Sequence, residues 1–253
     1  MKRYKLVCQY DGANFSGWQL QNDNRTVQGE LEKVLTKLNK GELVRVIGSG
    51  RTDAGVHALG QVAHFDMSTK LKINDLKKAI NGNLHEDCYV NFIELVDEEF
   101  HARFSASQRS YIYSCRQNRY LLDRNKVWNT GELDILKLNN AAKILIGEHD
   151  FLSFSKKNPK MNDTISIIYQ SEWKENGQIV NYHISGNRFL HHMVRYLVGS
   201  MVAISQGKYS IEQLIKELDN PKSDSKQFKA PAYGLVLNYV SSVSYTHLRA
   251  HET

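Results

Sequence analysis

Residues 42–67 read ELVRVIGSGRTDAGVHALGQVAHFDM. The apolar alternation of ELVRVIG and GQVAHFDM predicts two β-strands, with a loop between them that contains Gly48, Gly50 and Gly55. Glycines permit positive φ angles and a close approach of another backbone. Within this permissive loop lie one arginine, Arg51, and one aspartate, Asp53. The separation of Gly50 and Gly55 matches a phosphate loop, but Val56 and His57 follow where Lys and Ser/Thr are required, and a strand follows where a helix is required. A nucleoside-triphosphate site is therefore rejected. A carboxylate that serves as nucleophile or base is left, with Arg51 placed to keep Asp53 ionised. A hairpin loop carrying a surface salt bridge accounts for the same residues equally well at this point.

Working outward, RYKLVCQY (residues 3–10) alternates as a strand, and Thr26 caps a helix with an apolar stripe of Val27, Leu31, Val34, Leu35 and Leu38. After the glycine loop come a helix over Asn74–Asn81, ended by Gly82, and the strand CYVNFIELV (88–96). The order is β-α-β-β-α-β. The second half repeats it. RSYIYSCRQ is a strand, LDILKLNNAAKILIG a helix, and TISIIYQSEW and QIVNYHISG are strands joined at a turn, ENG. RFLHHMVRYLVGSMVAIS is a long helix, SIEQLIKELDN a shorter one, and GLVLNYV the closing strand. An α+β fold is expected, built of two ferredoxin-like β-α-β-β-α-β units with adjoining, mainly antiparallel sheets and a central cleft. The expected divisions are residues 1–100 (N-terminal, carrying the Asp53 loop), 101–243 (C-terminal, completing the cleft) and 244–253, SYTHLRAHET, a non-native tail without periodicity.

The chain has 253 residues, 41% of them hydrophobic, enough for a sizeable core. Its net charge of +6 favours polyanionic partners, nucleic acid first. Cys8, Cys88 and Cys115 are widely separated, which suggests neither a zinc site nor a disulfide framework. No run reaches the roughly 18 apolar residues of a membrane span, so a soluble cytoplasmic protein is expected. Asp53, His57 and His64 lie close in sequence, but a metal needs ligands that converge with firm geometry. His57 and His64 read as ordinary turn and strand residues, and no metal is expected.

FHARFSASQRSYIY (100–113) mixes cations with rings: Phe100, His101, Arg103 and Phe104, followed by Tyr111 and Tyr113 on one face of a strand. Rings that stack on bases and cations that meet phosphates grip single-stranded or everted nucleotides. Phe104 itself reads as a core residue at a seam. In NRFLHHMVRYLVG (187–199), Arg195 sits among apolar neighbours and needs a partner, because an unpaired buried charge is costly. Asp53 would fit. The lysine-rich loops at 155–163, with Lys156 and Lys157, and at 220–231 are candidates for phosphate contact or solvated surface.

Seven motifs follow in one order: YDGANFSGWQLQ, TVQGELE, GSGRTDAGVHALGQVAHF, FHARFSA, YIY, FLHHMVR and APAYGLVL. In them the chain resembles the tRNA pseudouridine synthase A family from Tyr4 to about Val240. The resemblance implies isomerisation of uridine to pseudouridine in the anticodon stem-loop of tRNA, at positions 38 to 40. It implies Asp53 as the essential aspartate, Tyr111 packed on the target base, Arg195 paired with Asp53, and Leu235 lining the uracil pocket. Arg51, Phe100, His101 and Arg103 would contact RNA. It also implies a homodimer that works without metal or cofactor. The segment SKKNPKMND departs from the arginine-containing segment common in the family, and lysine keeps the charge while losing bidentate phosphate binding. Whether Asp53 attacks C1′ or deprotonates the sugar to a glycal is left open by these residues.

Overall fold

The computed structural model describes residues 1–156, 163–223, 225 and 228–242. The expected non-native tail and Lys157 lie outside the described residues.

The first half runs β1 (Lys2–Tyr10), α1 (Val27–Leu38), β2 (Val46–Gly48), β3 (His57–Met67), α2 (Ile73–Asn81) and β4 (Cys88–Val96). The second runs β5 (Ala106–Arg116), β6 (Trp128–Asn129), α3 (Ile135–Ile144), β7 (Gly147–Asp150), β8 (Ile165–Asn176), β9 (Ile179–Gly186), α4 (Met193–Ser205), α5 (Ile211–Asp219) and β10 (Leu235–Ser242). The expected order of elements is present. The short strands β6 and β7 are additions that no alternation of apolar residues announces. Thr26 caps α1, its side chain accepting from the Gly29 N–H.

Where two adjoining sheets are expected, one mixed, mostly antiparallel sheet forms, in the order β4-β1-β3-β10-β5-β9-β8-β7, with β2 on β3 and β6 on β5. The join is made by the last strand. β10 runs antiparallel to β5 and pairs in parallel with β3 at Val236↔His57 and Leu237↔Ala58. An unpaired edge on either half would leave backbone donors and acceptors open, and β10 satisfies both.

Cross-strand neighbours such as Leu6↔Ala63, Leu237↔Tyr111 and Tyr111↔Ile184 share a sheet face. These residues join one core cluster with Leu31 and Leu35 of α1, Leu76 of α2, Leu138 of α3, Leu197 of α4 and Leu214 of α5. The α-helices of the described residues thus cover the same face. The other face carries ion pairs across strands, Arg3–Asp66 at 2.7 Å and Lys5–Glu94 at 2.8 Å.

Several expected elements are shorter in the structure. Of ELVRVIG only Val46–Gly48 pairs as a strand. The helix expected from Arg188 starts at Met193, because His192 adopts a left-handed conformation with φ +67° and ψ −1°. A left-handed non-glycine residue cannot continue a right-handed helix.

Candidate active site

The loop between β2 and β3 is held by the first motif of the chain. Trp18 N–H donates to Thr52 O at 3.1 Å, Gly55 N–H to Phe15 O at 3.3 Å, and the Tyr10 and Thr52 hydroxyls lie 2.8 Å apart. Gly12 is required by contact, since a Cβ there would lie 2.1 Å from Val56 O. Inside the loop, Ser49 Oγ donates to Gln61 Oε1 at 2.8 Å and Gln61 Nε2 donates to Gly50 O at 2.9 Å. Gly55 turns the chain with φ +79°. The carboxylate of Asp53 is thereby fixed on a rigid loop, with its side chain only 15% exposed.

Its partners come from the other half of the chain. Arg195 Nη1 lies 2.9 Å from Asp53 Oδ2, while Arg195 Nε donates to Ala230 O at 2.9 Å. His191 Nε2 lies 3.4 Å from Oδ1 and His192 Nε2 3.5 Å from Oδ2. Burial pushes the Asp53 carboxyl up, but the His191 hydrogen bond, His192 and Arg195 outweigh it and hold the group below the ordinary carboxylate range. Burial lowers His192 to about 4, with Asp53 opposing, so at neutral pH His192 is uncharged and Arg195 is the permanent counter-charge.

The sequence-based pairing of Arg51 with Asp53 is corrected. Arg51 is exposed, and the charged partner of Asp53 is Arg195, with the rings of His191 and His192 beside it. The expected Arg195–Asp53 pair is present. Tyr111 is buried on β5, packs edge-on against Phe189 at 5.1 Å, and is close enough to Asp53 for the carboxylate to help raise its phenol, after burial, to about 12. Leu235 is buried at the start of β10, opposite Tyr113 and on the same face as Tyr111.

Asp53, His57 and His64 do not converge. His57 Nδ1 accepts from Gly12 N–H at 3.0 Å, and His64 Nδ1 from Ala102 N–H at 3.1 Å. Among the described residues the group with ligand atoms in reach of one another is instead Asp53, His191 and His192, within 4.8 Å. The donor types would suit a divalent ion, but the Arg195 guanidinium already holds Oδ2 and opposes a second cation there.

Phe104 is corrected as well: it is 77% exposed, not core. It stacks on His101 at 4.4 Å with Arg103 over its face at 5.8 Å, while His101 in turn meets His64 at 4.8 Å. Phe100 is half-buried against His64, beneath Lys5. Lys156 is exposed, and its N–H donates to His191 O at 2.9 Å.

One residue escaped the sequence reading. The Arg109 guanidinium donates from Nη1 to Ala106 O and Asn187 O at 3.0 and 2.7 Å, and from Nη2 to Ser49 O and Arg103 O, both at 2.9 Å. It ties the loop of Asp53, the aromatic loop and the approach to α4 to the strand of Tyr111. The signal was present in RSYIY, where an arginine lies on the same strand face as two buried tyrosines.

A sequence model described as tRNA pseudouridine synthase matches residues 6–105 and 141–241, which includes both sides of the Asp53–Arg195 pair. The tRNA pseudouridine synthase A of Geobacillus kaustophilus (strain HTA426) is 41% identical over 242 residues, covering 93% of each chain. That of Maridesulfovibrio salexigens is 40% identical over 242 residues, covering 94% of this chain and 89% of its own. That of Lacticaseibacillus casei (strain BL23) is 38% identical over 247 residues, covering 95% and 99%. On this match and these identities, the chain belongs to the tRNA pseudouridine synthase family.

Proposed function

We propose that this chain isomerises uridine to pseudouridine in tRNA, within the anticodon stem-loop, with Asp53 as the catalytic carboxylate. The observation that carries the reading is the Asp53–Arg195 contact at 2.9 Å, which keeps a carboxylate ionised in a largely buried position between the two halves. The reaction breaks the bond between N1 and C1′, turns the uracil and joins C5 to C1′. A base paired in a stem is out of reach and must be everted, which costs a few kcal/mol. Tyr111 and Leu235 would wall the place where the detached uracil turns. Arg51, Arg103, His101, Phe100 and the exposed ring of Phe104 would offset the cost of eversion by stacking and phosphate contact, and Lys156 would extend that basic surface.

The division at residues 100 and 101 separates the aspartate from its arginine. The strand orders β4-β1-β3-β2 and β10-β5-β9-β8 support reading the halves as two ferredoxin-like units, with the substrate between them. We further read the working enzyme as a cytoplasmic homodimer. The direct test maps pseudouridine in tRNA lacking the modification, with and without the protein. Pseudouridine appearing at positions 38 to 40 is the expected result, and none would refute the proposal.

A further inference from the structure

Adjacent residues on a strand or helix point their side chains apart, by half a turn or by about 100°. His191 and His192 do the opposite. Their rings lie 4.1 Å apart, and each presents Nε2 to a different oxygen of Asp53, at 3.4 and 3.5 Å. The left-handed turn at His192, φ +67°, makes this convergence possible. Strained backbone of this kind persists where the surrounding structure enforces it, most often at functional sites.

The two rings differ in what they can do. The side chain of His192 is 14% exposed and its Nδ1 is buried without a hydrogen-bond partner, whereas that of His191 is 51% exposed. Oδ2 is taken by Arg195, so Oδ1, facing His191, is the oxygen left for chemistry. His191, half-exposed, reaches from this oxygen to solvent, and its backbone is pinned by Lys156 N–H at 2.9 Å.

We propose that His191 is a further catalytic residue: it carries to solvent the proton that the isomerisation releases onto Oδ1 of Asp53. The proposal rests on Asp53 as the catalytic carboxylate. Once C5 has bonded to C1′, the base holds a hydrogen on C5 and a double bond between C6 and N1. That hydrogen leaves as a proton to Oδ1. Its electron pair restores the C5–C6 double bond and displaces the C6–N1 pair onto N1, which takes a proton from solvent. Oδ1 passes its proton to His191 Nε2, and the half-exposed imidazolium releases it to water. One proton leaves C5 and one arrives at N1, and Asp53 returns to the carboxylate.

The test uses single turnovers of the full chain on tRNA whose uridines carry tritium at C5, with tRNA affinity measured beside them. His191→Gln is expected to slow tritium release by about 10²-fold, the lower range for a proton-transfer group, with tRNA affinity unchanged. Imidazole in the buffer is expected to restore His191→Gly at least fivefold and to leave Asp53→Asn inactive. Turnover of His191→Gln within twofold of the parent, a loss seen in affinity alone, or no response of His191→Gly to imidazole would each overturn the proposal. Turnover by Asp53→Asn would instead remove the reading of Asp53 beneath it, so the two failures are distinct.

Discussion

Arg195 grips Asp53 Oδ2 at 2.9 Å through Nη1 while its own Nε is anchored to the Ala230 carbonyl at 2.9 Å. The arginine is thus a fixed post on α4, and the carboxylate on the opposite loop meets a charge that cannot swing away. Asp53→Asn removes the charge and keeps the shape. It is expected to bind tRNA normally and to lose more than about 10³-fold in turnover. Normal turnover in tritium-release assays would sink the assignment.

Arg195→Ala acts on the same pair from the other side. It removes the permanent counter-charge and leaves burial opposed by His191 and His192 alone, so the Asp53 carboxyl rises. A raised carboxyl pKa means that the active carboxylate is lost at a higher pH. The acid limb of the rate profile is therefore expected to move upward in pH, with a stability loss of about 3 kcal/mol from the orphaned charge. An unmoved acid limb would mean that Arg195 does not tune Asp53.

The residues legible in the sequence were those whose type conflicts with a bland environment. Asp53 among glycines and Arg195 among apolar neighbours each needed an explanation, and together they supplied one. The strands were legible for the same reason, through alternation as regular as Leu6, Cys8 and Tyr10. What stayed hidden depends on distances between segments. Nothing local says that β10 closes one sheet by reaching β3 as well as β5. Nothing local says that Arg51 turns outward. The start of α4 was misplaced because RFLHHMVR has helical spacing, whereas His192 is held in a left-handed turn that periodicity cannot register. Phe104 reads as core by type, yet its exposure is set by how the loop crosses the sheet.

Tyr111 offers a ring and a hydroxyl, and its edge contact with Phe189 fixes the ring. Tyr111→Phe is expected to keep turnover within about tenfold. Tyr111→Ala is expected to lose a further 10- to 100-fold, the scale of about 1–3 kcal/mol for one stacked base. Equal losses for both would assign the work to the hydroxyl instead.

Arg109 makes four hydrogen bonds to backbone carbonyls drawn from three segments around the site. Lysine keeps the charge but cannot reproduce the planar fork. Arg109→Lys is expected to cost about 3 kcal/mol in urea unfolding, given roughly 1.5–3 kcal/mol for each charge-assisted bond and partial replacement by the ammonium. Turnover should fall by more than the unfolded fraction explains, since Ser49 and Asn187 flank Asp53 and His191. An unfolding midpoint equal to that of the parent would refute the clamp.

Burial holds His64 and His192 well below the ordinary imidazole range, and His101 and His183 below it as well. His64 accepts from the Ala102 N–H through Nδ1, and burial first, then His101 and Arg3, lower it to about 4. Burial likewise brings His192 to about 4. Their unfolded values lie near 6.5. Because the folded values are the lower ones, the unfolded chain takes up protons first as the pH falls, and stability declines from about pH 6.5 to about pH 4. The sign is opposite for a histidine that gains an acidic partner on folding. Melting temperatures measured by circular dichroism at pH 7, 5.5 and 4.5 should fall through that window. His64→Gln, which retains an acceptor for Ala102 and cannot titrate, should fall less steeply than the parent. A parent curve flat between pH 6.5 and 4.5, or a variant as steep as the parent, would show that these imidazoles are not held neutral by the fold.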